Sequence, residues 1–193
     1  MVCTGCQDQL DLIKLKRRRH LRSTIFHDKK RVRSTEKRRQ EIVEAAASHL
    51  IEHGFQSSGL RAIAKSSGVS DRMIMYYFAT KDDLVSAALE MIGDGFAAGM
   101  DSAMPEGNAT PNQILETLSQ TMQSDEAQAI MRLWFEIIGL AMRGKEPYRK
   151  TASLLLTRSE EQIRNKLRSD QKHRAREVFN ALEGRVMVSL LLD

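Results

Sequence analysis

Between Ser57 and Lys81 the sequence SSGLRAIAKSSGVSDRMIMYYFATK sets hydroxyls (Ser58, Ser70, Tyr76, Tyr77), cations (Arg61, Arg72, Lys81), one carboxylate (Asp71) and a thioether (Met73) a few residues apart. These groups suit an anionic polymer. Cations and hydroxyls take phosphate oxygens, while an arginine or a carboxylate reads the edge of a base, the carboxylate by accepting from a cytosine amino group. No chemistry of bond-making accompanies them. The chain holds no paired-carboxylate, Ser-His-Asp or Gly-rich phosphate pattern, and His53 and His173 are scattered, so neither an enzyme nor a cofactor is expected. Cys3, Cys6, His20 and His27 have the wrong interval and no finger core between them, so no metal site is expected either.

Two short helices and a tight turn must position this set. Leu60, Ile63 and Ala64 recur at helical spacing and predict a first helix over 59–67, with Ser57 or Ser58 as its cap. Gly68 follows, where a left-handed turn is cheap for glycine alone, and Val69 tucks under it. Ser70 then caps a second helix over 70–78. Its Ile74, Tyr77 and Phe78 anchor inward, while Asp71, Arg72, Met73 and Tyr76 look outward. Such a pair of helices is how proteins seat a helix in the major groove.

The pattern extends beyond the pair. Ile42, Ala45, Ala46, Leu50, Gly54 and Phe55, then Ile63, Ala64, Gly68, Val69 and Ser70, then Tyr76, Phe78, Lys81 and Leu84 keep one register over some fifty residues. In this the chain resembles the DNA-binding domain of the tetracycline-repressor (TetR) type of bacterial transcriptional regulators. The resemblance implies a ligand-responsive repressor that binds a palindromic operator as a homodimer, with Lys81 on the DNA backbone. Many relatives carry Tyr where Met75 stands, and since a thioether donates no hydrogen bond, the phosphate contact is expected to move to Tyr76.

The resulting fold class is all-α: a basic arm (1–34), an N-terminal three-helix helix-turn-helix DNA-binding domain (35–81) and a C-terminal helical ligand-binding and dimerisation domain (82–193). Residues 1–40 contain 13 Lys or Arg against 4 Asp or Glu, whereas the rest of the chain is mildly acidic. That arm is placed to add salt-dependent phosphate contacts, or else to remain a solvated tail. No run of 18 apolar residues is present and the early charges follow the apolar part, the reverse of a secretory signal. A cytoplasmic protein with no membrane partner is expected.

First among the longer elements is a helix over 37–53, with His49 at the edge of its apolar face. Helix four starts at Thr80, which caps it, and softens around Gly93, Gly95 and Gly99 before the loop MPEGNATP. Further helices are expected over 114–122, 126–143, 148–167 and 174–192. The 126–143 helix supplies Met131, Trp134, Phe135 and Ile138, which with Met100 and Met104 are the candidate lining of an effector cavity, or alternatively packed core. Arg132 or Glu136 would orient a polar end of the ligand. The last two helices carry an apolar stripe (Leu154, Leu155, Leu156, Ile163, Leu167; Val178, Leu182, Val186, Leu190, Leu191) that the resemblance assigns to a four-helix dimer contact, and the chain stops inside that pattern. The alternative function is a helical ligand-binding or interaction module that has lost sequence-specific DNA reading.

Overall fold

Short polar caps set the helix boundaries of this chain. In the computed structural model, which describes residues 35–192, Ser70 accepts the Met73 N–H and starts α3 (Asp71–Tyr77). Thr80 and Asp83 form a reciprocal capping box at the head of α4 (Lys81–Ala103), and Thr110 and Gln113 do the same for α5 (Pro111–Thr121). Ser124 caps α6 (Asp125–Met142). Each satisfies backbone N–H groups that a helix start leaves without a partner. The remaining helices are α1 (42–53), α2 (Leu60–Ser66), α7 (Tyr148–Lys166) and α8 (Ala175–Leu192), which follows a 3-10 turn at Ser169–Arg174.

The chain divides into two units, Met1–Glu41 and Ile42–Asp193. Of the first, residues 35–41 are helical, with Arg38 paired to Glu41 at 2.8 Å. The basic arm with Cys3, Cys6, His20 and His27 lies outside the described residues.

Two apolar cores organise the second unit. One gathers Ile42, Ala46 and Leu50 of α1, Ile63 of α2, Ile74 of α3 and Leu84, Val85 and Ala88 of α4, and it extends to Leu133 and Ile137 of α6 and to Tyr148. The other is built from Met100 and Met104 with Ile114, Leu118, Met131, Ile163, Val178 and Leu182. Helix α4 takes part in both, its first half in one and Met100 in the other. The expected softening at its glycines does not occur: α4 stays helical to Ala103, held along α7. Asp94 pairs with Arg158 at 2.7 Å, Gln162 donates to the Ala97 carbonyl and Lys166 pairs with Asp101 at 3.1 Å. These pairings ascend together in sequence, so α4 and α7 run parallel. At Gly93 the side chain of Leu155 lies against the α4 backbone, where a Cβ would overlap its terminal carbon.

The apolar stripe of α7 and α8 is divided between two uses. Ile163, Leu167, Val178, Leu182 and Val186 are buried within the chain, which corrects their assignment to a contact with a second copy. Leu154, Met187, Val188, Leu191 and Leu192 remain exposed. Among the described residues no helix is long and apolar enough to cross a membrane.

Candidate nucleic-acid interface and ligand cavity

The turn before α3 closes as its sequence requires. Gly68 has φ +62°, the Val69 N–H bonds back to Ala64 and the Gly68 N–H to Lys65, so the last carbonyls of α2 are satisfied by a left-handed residue that only glycine adopts without strain. Ile74 and Phe78 then anchor α3 in the core, with Tyr77 half-buried against it. Arg72, Met73, Met75 and Tyr76 face solvent, Tyr76 being 75% exposed. Four side chains able to touch a groove therefore stand on one rigid seven-residue helix.

Three neighbours of that face are differently placed. Arg61 reaches across from α2 to Asp71, Nε to Oδ2 3.7 Å, an exposed pair that is held weakly and leaves Arg61 available. Lys81, half-buried at the first position of α4, lies over the Phe55 ring, 5.1 Å from its centroid. Ser58 corrects both roles expected of it. Its side chain is fully buried and donates to the Gly54 carbonyl at 2.5 Å, while α2 is capped by Gly59 with no side-chain bond. The turn folds Ser58 beneath itself, out of reach of DNA. His49 is a core-edge residue: buried, Nδ1 2.8 Å from the Ser66 hydroxyl, its Nε2 without a partner. Burial, and next the nearby His53, push its pKa below the ordinary 6.5.

A polar clasp ties this head to the helices behind it. The Glu136 carboxylate on α6 accepts the backbone N–H of Phe55 at 2.9 Å and of Gln56 at 3.3 Å. Gly54 just before them has φ +74°, a left-handed conformation that favours glycine, and a Cβ there would come 2.7 Å from Glu136 Oε1 and displace that carboxylate. Tyr148, the first residue of α7, packs edge-on to Phe55 with centroids 5.2 Å apart. Its hydroxyl donates to Asp82 Oδ1 at 2.5 Å, in the first turn of α4. Burial, then the Asp82 bond and charge, drive the Tyr148 pKa far up, so the proton stays on the phenol. Glu136 is thereby occupied, and Arg132 is exposed with its bond directed to Gln128; neither lines the cavity that α4 and α6 border.

Where the two cores fail to merge, a cavity of about 80 Å³ opens. Helix α4 contributes Leu89, Ile92, Gly93, Phe96 and Met100; α6 contributes Ile130, Met131, Leu133 and Trp134. Leu155 and Ser159 of α7, Phe179, Leu182 and Glu183 of α8, and Met122 close it. Of the residues expected to line a pocket, Met100, Met131 and Trp134 do so. Met104, Phe135 and Ile138 do not: Met104 is buried in the second core and Phe135 packs on that core's outside. The sequence reading missed Phe179, Leu182 and Glu183. Glu183 is the cavity's one carboxylate, its Oε1 accepting the Trp134 indole N–H at 2.7 Å. Burial raises its pKa, partly offset by the Trp134 bond. Among the described residues no group of His, Cys, Asp or Glu is arranged to hold a metal.

Comparison with known proteins adds to this geometry. Residues 42–88, from α1 into α4, match the model of "Bacterial regulatory proteins, tetR family". The HTH-type transcriptional regulator PksA of Bacillus subtilis (strain 168) is 25% identical over 114 residues, 58% of this chain and 56% of that protein. The chain spans about half the length of the curated relatives it matches. Among solved structures, the multidrug binding protein EbrR complexed with proflavin aligns with a TM-score of 0.62 at 25% identity, over 80% of this chain and 89% of that one. The TetR family member SCO1917 from Streptomyces coelicolor A3 gives 0.63 at 25% identity, over 80% and 87%.

Proposed function

Since this chain belongs to the tetR family of bacterial regulatory proteins, we propose that it is a ligand-responsive repressor that binds a palindromic operator as a homodimer. Helix α3 enters the major groove and reads it through Arg72, Met73 and Tyr76, with Asp71 at its rim. Ser70, Tyr77, Arg61 and Lys81 hold the phosphates. The domains divide this work, 35–81 reading DNA and 82–193 receiving the effector and the second copy. Two α3 helices about one DNA turn apart, roughly 34 Å, suit a two-fold symmetric dimer on an inverted repeat. The exposed apolar side chains of α7 and α8, Leu154, Met187, Val188, Leu191 and Leu192, support a partner on that face.

The observation that carries the reading is the double membership of α4. Its N-terminal half is core to the head, and the same helix walls the cavity from Leu89 to Met100. At about 80 Å³ the cavity is smaller than the roughly 150 Å³ that accommodates benzene in a carved protein core, so an effector enters by wedging α4 from its neighbours. EbrR holds proflavin, which supports an organic molecule of that kind here. The ligand-filled state then favours a head spacing that no longer fits two grooves. Such a ligand must prefer that state, because equal affinity for both would shift nothing.

Selection of bound fragments from a random DNA pool at about 0.15 M salt tests this. Enrichment of an inverted repeat is expected. Binding that vanishes with salt and enriches nothing would overturn it in favour of a helical interaction module.

A further inference from the structure

We propose that the cavity between α4, α6, α7 and α8 receives a flat, largely apolar cation, with the Glu183 carboxylate as its counter-charge. The proposal rests on the reading of this cavity as the effector site. Glu183 faces a wall that is otherwise almost wholly hydrocarbon, sulfur and aromatic ring, with Ser159 the other polar side chain. Among the described residues no lysine, arginine or histidine lies within ion-pairing distance of it, although Arg185, two residues on, pairs with Glu116 at 3.7 Å. The Trp134 N–H fixes Oε1 in place but brings no charge. A half-buried carboxylate so situated is costly, and burial accordingly raises its pKa.

A cation relieves that cost, whereas a neutral ligand leaves it and an anion worsens it. The walls are suited to the same guest: Phe96, Trp134 and Phe179 line the cavity, and aromatic rings attract cations. Met100, Met122 and Met131 are unbranched and polarizable, so they can repack as the cavity widens.

The test uses DNA-free protein and two fluorescent probes of similar breadth, berberine, which is planar with a fixed positive charge, and neutral N-phenyl-1-naphthylamine, each titrated into the parent protein and Glu183→Gln. Glutamine keeps an acceptor for Trp134, and thermal unfolding verifies that the variant is folded. Berberine affinity is expected to fall about ten- to hundredfold in Glu183→Gln, with the neutral probe unchanged or tighter. The sites are confirmed as shared if Ser159→Trp, which adds bulk to the cavity from its α7 wall and is likewise verified as folded by thermal unfolding, weakens both. If the neutral probe binds and berberine binds equally to both proteins, the charge assignment is wrong while the effector cavity stands. If neither probe binds, the effector-site reading fails and this proposal with it.

Discussion

Removing a single oxygen tests whether the head is fastened to the body as described. Tyr148→Phe keeps the ring that packs on Phe55 and deletes the hydroxyl that donates to Asp82. A hydrogen bond to a charged acceptor contributes about 1.5–3 kcal/mol. The lower half of that range applies, because Asp82 is only half-buried and recovers water when the phenol is gone, while its place in the first turn of α4 keeps it favourable to the helix dipole. For a cooperative unit of this size each kcal/mol moves the melting temperature by about 2–4 °C, so a drop of about 3–9 °C is expected by circular dichroism. The Glu136→Gln change should be smaller alone, and the pair should be non-additive, since both side chains fasten the same Phe55 turn, Glu136 through its backbone N–H and Tyr148 through its ring. A Tyr148→Phe melting curve within about 1 °C of the parent would mean that Asp82 is as well served by water and that the clasp does not fasten the head.

Three other consequences can be measured. Gly93→Ala should push the Leu155 terminal methyl groups into the cavity and weaken N-phenyl-1-naphthylamine binding, with a stability change within about 1 kcal/mol because a flexible side-chain end gives way. Because the folded pKa of His49 lies below its ordinary 6.5, the stability it confers is present above that pH and is lost as pH falls towards the folded value; urea unfolding between pH 7 and 5 should show a smaller decline in His49→Gln. Residues 35–81 carry seven Lys or Arg against five Asp or Glu, so the DNA-reading domain is far less basic than the arm. Deleting 1–34 is therefore expected to lower operator affinity and reduce the salt slope by about 0.9 for each phosphate the arm had neutralised, without altering the preferred site; an unchanged slope would show that the arm does not touch the DNA backbone.

What was legible in the sequence is what local chemistry decides. Ser70, Thr80 and Gly68 act on backbone atoms within five residues, so their caps and turn follow from the chain itself. The inward set Ile74 and Phe78 follows from helical period alone. Ser58 did not follow, because a hydroxyl before a helix reads as a cap unless the fold of the preceding turn is known. Glu136 sits within LWFEIIGL and looks like a pocket acid; its partners are some eighty residues earlier and leave no mark nearby. The α8 lining was hidden in a stripe assigned to a second copy. The signal that could have separated it is Glu183, a lone carboxylate inside VFNALEGRVMV, four residues after Phe179 and so on the same helical face.

The central claim is that α3 reads bases, and it is tested most directly by measuring Arg72→Ala and Lys81→Ala against every single-base variant of the selected operator. Arg72→Ala should lose about 1–3 kcal/mol of discrimination at one symmetry-related pair of positions, while Lys81→Ala weakens all sequences alike. If Arg72→Ala instead lowers affinity uniformly and leaves every base preference intact, α3 is not the reading helix as described.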